Sequence, residues 1–101
     1  MQATLNGLVL ADAPDDEIIL IEGNAYFPPD SVTDGVLHAS TTPYHCSWKG
    51  DCQYFDVRTG NGDETLPDRA WSYPEPIPAS LDVVGKDYSN YVAFWKEVHV
   101  G

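Results

Sequence analysis

Basic residues are scarce in this chain. Five Lys and Arg stand against sixteen Asp and Glu among 101 residues, which leaves a formal charge of -11. So acidic a surface repels phosphate backbones and anionic lipid, and the sequence predicts no nucleic-acid partner and no membrane partner. Cysteine is almost as rare. Cys46 and Cys52 are too few for a disulfide scaffold or a four-thiolate zinc site. Long apolar runs are missing too: Ile18 to Ile21, like every other run, falls far short of the roughly 20 residues that span a bilayer. The first residues carry neither a basic leader nor an apolar stretch, so the expected compartment is the cytoplasm and the expected thiols are free. No P-loop or dinucleotide fingerprint occurs.

What is present describes a compact domain. Apolar residues make up 43% of the chain and twelve are aromatic, too many for a disordered acidic tail. At this mass about two-thirds of the extended chain's surface is removed from water on folding, so one core is expected, in a single domain over residues 1–101. Eight Gly and eight Pro interrupt the sequence at short intervals, which suits short strands better than long helices. The predicted class is mainly β, α+β at most, with one or two short helices.

Along the chain, Thr4 to Ala11 reads as one strand with a weak interruption at Asn6-Gly7. Glu17 to Glu22 is the strongest strand, and the two are expected to pair as a hairpin around Pro14. Ala25 to Phe27 is extended because Pro28 follows. A short helix is expected from Asp30 or Ser31 through Leu37. Pro43 to Trp48 and Cys52 to Arg58 read as strands. If Trp48-Lys49-Gly50 is their three-residue loop, Cys46 lies opposite Cys52. Thr59 to Asp68 is a polar loop, Ala70 to Tyr73 is extended, and Ala79 to Val84 is either a helical turn or a strand. Tyr91 to Trp95 and Val98 to Val100 close the sheet material.

Four segments together carry a resemblance: EGNAYFPPDSV from Glu22, HCSWKGDCQYFDV from His45, AWSYPEPIP from Ala70 and YVAFWKEVHV from Tyr91. In this order and spacing the chain resembles a bacterial family known as domain of unknown function 427, sometimes labelled a nucleotidyltransferase domain. The resemblance covers nearly the whole chain. It implies small, mainly β proteins with compact, curved antiparallel sheets in a β-tent or barrel-like arrangement. The paired Cys-x-x-Cys knuckles of zinc-bearing β-tents are absent here, so no metal and no cofactor are expected. Nucleotidyl transfer uses two metal ions held by carboxylates. The usual signature, an Asp-x-Asp pair after a Gly-Ser turn, does not occur in this sequence, and the transferase label has no residues to rest on.

Twelve aromatics exceed what so small an interior needs, and the remainder suit the walls of a concave pocket. Tyr26, Trp48, Trp71, Tyr73 and Trp95 are the expected walls. Lys49, one of five cations, is the expected contact for a ligand's anionic tip, and Gly50 is placed for close approach or a positive φ. His45 and two carboxylates on stiff backbone, Glu22 and Glu75, are the remaining polar candidates. For each the plain alternative is structural: a turn glycine, a solvated lysine, a satisfied histidine, acids at strand ends.

Three functions stay open on these residues. The first is a binding module for a small molecule, neutral or anion-tipped at Lys49. The second is an enzyme of unassigned class that uses His45 with a carboxylate. The third is an acidic interaction module that meets a basic partner, or a homodimer formed along an exposed strand edge.

Overall fold

The computed structural model describes residues 1–58 and 65–101. Among them are nine strands: β1 (Gln2–Leu5), β2 (Leu8–Asp12), β3 (Ile19–Ile21), β4 (Asn24–Tyr26), β5 (Leu37–Cys46), β6 (Gly50–Arg58), β7 (Thr65–Ser72), β8 (Ala93–Phe94) and β9 (His99–Val100). One α-helix, α1 (Pro78–Val84), and two single 3-10 turns complete the described elements. The strands form three antiparallel sheets, ordered β2-β1-β9, β3-β4 and β5-β6-β7-β8. The protein is mainly β, as its composition predicts. No helix among the described residues is long and apolar enough to cross a membrane.

Several local expectations are corrected. Asn6 and Gly7 both take positive φ, 50° and 83°, the two-residue turn that matches strand twist. The expected single strand therefore folds back on itself as β1 and β2, with Leu5 opposite Leu8. Glu17 to Glu22 does not pair with it. Asp15–Glu17 is a 3-10 turn, and the shortened β3 pairs with β4 across a second positive-φ turn, Glu22-Gly23. The helix expected up to Leu37 shrinks to one 3-10 turn, Pro29–Ser31. Gly35 adopts φ 82° and Leu37 already starts β5. Of the expected polar loop from Thr59 to Asp68, residues 59–64 lie outside the described residues. Thr65 to Asp68 belong to β7.

The β5–β6 hairpin differs by two positions from the expected register. Cys46 lies opposite Gly50 and Tyr44 opposite Cys52, so residues 47–49 form the loop. Both thiols are free. Gly50 explains the shift. Its φ of 110° admits few side chains, and its Cα faces a wall where an added Cβ would lie 3.4 Å from both the Glu75 carbonyl oxygen and Ile77 Cγ1. Alongside, the Ile77 N–H donates to the Lys49 carbonyl at 2.9 Å. The glycine thus starts a strand pressed against the segment before α1, and it is not a loop tip. Gly50→Ala combines backbone strain with a tight contact. It is expected to cost about 1–2 kcal/mol, read from the urea midpoint; an unchanged midpoint would refute this account.

Two apolar clusters hold the sheets together. One gathers Leu5, Leu10, Phe27, Val57 and Phe94, with the Phe27 and Phe94 rings edge to face at 5.8 Å. The other gathers Ile19, Ile21, Tyr26, Cys46, Tyr73 and Tyr88. Each fully buried ring contributes roughly 2–3 kcal/mol of burial. The Tyr88 hydroxyl meets Ser80 Oγ of α1 at 2.7 Å, so the helix is tied to the second cluster by a satisfied polar contact.

Candidate functional site

The second cluster ends at the surface in a hollow of about 230 Å³. Four stretches of backbone build it. The hairpin β5–β6 supplies Tyr44, Cys52, Tyr54 and, from its turn, Lys49. Strand β7 and the residues after it supply Trp71 and Tyr73. Asn24 comes from β4, and Trp95 from just beyond β8.

The indoles are held at their N–H groups. Trp71 Nε1 donates to the Tyr26 hydroxyl oxygen at 2.9 Å, and Trp95 Nε1 donates to the Asp68 carbonyl at 2.6 Å. Their rings stand 5.7 Å apart at 78°. Because each N–H is already used within the protein, both rings are fixed in place and meet a ligand through carbon. Tyr44 and Tyr54 face each other across the strand pair at 6.4 Å.

Lys49 lies beneath these rings, 6% exposed. Its Nζ donates to Glu22 Oε1 at 2.6 Å and sits 4.9 Å from the Tyr73 ring centre and 5.3 Å from that of Trp48. Burial pulls the ammonium pKa down. The Glu22 hydrogen bond and the electrostatic effects of Tyr26 and Glu22 outweigh it and hold the pKa above its ordinary value. Lys49 is therefore a charged lysine and not a neutral amine nucleophile. Glu22 reaches it from a residue with φ 53°, a conformation unfavourable for a glutamate by about 1 kcal/mol.

Four other groups of the site hold their protons more tightly than usual. Burial pushes the Tyr26, Tyr54 and Tyr73 hydroxyls up. It pushes the Cys52 thiol up to about 11, against the opposing effects of Tyr73 and Lys49. A thiol held this far from ionisation is a poor nucleophile.

Seven of the nine residues expected from sequence come together here. Lys49, Trp71, Tyr73 and Trp95 line the hollow, Tyr26 backs Trp71, Glu22 holds Lys49, and Trp48 flanks the Lys49 ammonium. The other two do not line it but border adjoining depressions that share Cys52 with it. His45 pairs with Asp51 directly across the hairpin at 2.7 Å, with side chains 63% and 93% exposed. The pair borders a wide, open hollow beside Pro43. Glu75 borders a different depression with Pro74 and Gln53. Tyr44, Tyr54, Cys52 and Asn24 line the aromatic hollow without having been expected there. The correct hairpin register would have signalled three of them, since it sets Tyr44 opposite Cys52 and leaves Tyr54 on the same face two residues on.

Fold and site together define a class: a small antiparallel β protein with an aromatic hollow above a half-buried ion pair. The family model described as domain of unknown function DUF427 matches residues 1–100, and the chain belongs to that family. No curated protein matches it.

Proposed function

We propose that this is a one-domain binding module for a small molecule, and that the occupant lies against the rims of Trp71 and Trp95, above Lys49. The observation that carries the reading is the pair of near-perpendicular indoles whose N–H groups are both used internally. Large rings are usually buried in the interior, whereas Trp95 is 39% and Tyr44 52% exposed at the rim. The volume lies below the roughly 300–1,000 Å³ of drug-sized sites, so the ligand is of metabolite size. Lys49 has its charge matched by Glu22, which favours a ligand held by ring contact over one held by an anionic tip. The net charge of -11 supports a small-molecule partner over nucleic acid or a bilayer.

A thermal-shift panel of metabolite-sized compounds tests this. A ligand at about one hundred times its Kd adds roughly 2.7 kcal/mol, equivalent to a rise of about 10 °C or more in a domain of this size. The rise is expected to disappear in Trp71→Leu. A panel without a stabilising compound, or one that stabilises Trp71→Leu equally, would remove the reading.

A further inference from the structure

Asp68 points to the charge of the occupant. Its carbonyl holds the Trp95 indole, so the residue stands against one wall of the hollow. Three residues of β7, from 67 to 69, oppose Asp56 alone, because Phe55 pairs with Ala70 and Val57 with Leu66. In that bulge Asp68 takes φ 56° and donates its N–H to Asp56 Oδ1 at 3.0 Å. Oδ2 accepts the Thr42 hydroxyl at 2.7 Å. Oδ1 is buried and has no hydrogen-bond partner among the described residues.

No cation pairs with this carboxylate among the described residues. The ion pairs there join Glu22 to Lys49, Asp51 to His45, Glu97 to Arg69 and Asp15 to the amino terminus. The Asp68 charge reaches two residues that line the hollow, since it contributes to raising both Cys52 and Tyr54. A partly buried carboxylate without a counter-ion is unfavourable unless a positive charge comes near.

The walls favour the same sign. Aromatic faces attract cations, most strongly when water is excluded. Rings of this site already do so within the protein, with Lys49 over Tyr73 and Lys96 4.8 Å from the Trp95 centre. Lys49 does not reverse the balance, because Glu22 matches its charge at 2.6 Å. The whole molecule, at -11, concentrates cations around it.

Resting on the binding reading above, we propose that the hollow selects a small organic cation of the alkylammonium class. The rings of Trp71, Trp95, Tyr44 and Tyr54 contact its carbon shell, and Asp68 attracts its charge through space without a direct hydrogen bond.

Three probes of one shape and different charge test this: choline, 3,3-dimethylbutan-1-ol and 3,3-dimethylbutanoate, followed by tryptophan fluorescence and calorimetry at fixed ionic strength. Choline is expected to bind about ten-fold tighter than the alcohol, and the carboxylate weakest. Asp68→Asn keeps the side-chain shape; it is expected to weaken choline several-fold and leave the alcohol unchanged. The comparison of the three probes on the parent protein stands even if that variant folds poorly. Equal affinity for choline and the alcohol, or tighter binding of the carboxylate, would overturn the cation proposal and leave the binding module intact. Failure of all three probes, with a metabolite hit still lost in Trp71→Leu, would also overturn the cation proposal alone. Failure of the probes and of the panel together would overturn both.

Discussion

Between pH 8 and pH 11 the protein is expected to lose stability progressively, starting near pH 9. Five groups act in the same direction. Cys52, Tyr26, Tyr54, Tyr73 and Lys49 all hold their protons more tightly in the folded state than their ordinary values allow. A raised folded pKa means that the unfolded chain binds fewer protons over the interval between the two values, so stability falls as pH rises through it. For each group the contribution is complete below the unfolded value and lost above it. The interval opens at 9.0 for Cys52 and runs to about 11. It opens at 10.0 for the tyrosines and at 10.5 for Lys49. Cys52 is only half-buried, so solvent screening reduces its share to a loss on the order of 1 kcal/mol across its interval, which lowers Tm by about 4–8 °C. Calorimetry at pH 7, 9, 10 and 11 reads the effect. In Cys52→Ala the descent should begin about one pH unit later, when the tyrosines take over. A Tm that stays flat from pH 8 to 10.5 would show that these groups are not buried as described.

The second large effect is expected at the ion pair. Glu22→Gln leaves the Lys49 ammonium buried against a neutral amide. Breaking a fully buried pair typically costs about 3–5 kcal/mol. Because the Glu22 side chain is 56% exposed, a smaller loss of about 2 kcal/mol is expected, a fall in Tm of roughly 8–16 °C. The decisive comparison is with the double variant Glu22→Gln/Lys49→Met. Removing the stranded charge as well replaces an uncompensated ion with an apolar chain among Tyr73 and Trp48, so the double variant should be more stable than the single one. Urea midpoints for the two proteins check this. If the single variant stays within about 0.5 kcal/mol of the parent, the level of noise for a surface pair, Lys49 is reaching water and the floor of the hollow is not as described.

The strong strands were legible because their signal is local. Ile19–Ile21 is β-branched and apolar on a short reach, and residues 52–58 fall within β6, where Phe55 and Val57 pack in one cluster and Cys52 in the other. Pairing was less legible. Asn6-Gly7 has the composition of a tight hairpin turn, and reading it as a weak interruption joined two strands that in fact pair with each other. In the β5–β6 hairpin a one-residue change in loop position, which shifts the register by two, kept every side chain on its face but moved Cys52 from Cys46 to Tyr44. That change hid Tyr44 and Tyr54 from the expected site. Asp68 was hidden for another reason: it sits in a bulge, and a bulge depends on how two strands accommodate each other.

Composition and short-range pattern by themselves determined that this chain is mainly β, strongly acidic and rich in aromatic rings. Those properties add up residue by residue and need no knowledge of neighbours. Only the tertiary structure decided that Glu22 meets Lys49 across 27 positions and Tyr26 meets Trp71 across 45. It also decided that His45 and Glu75 stand outside the aromatic hollow, in depressions that share Cys52 with it. Such meetings are set by sheet register and by packing between sheets, where a shift of one or two residues costs little in local preference and changes which side chains touch.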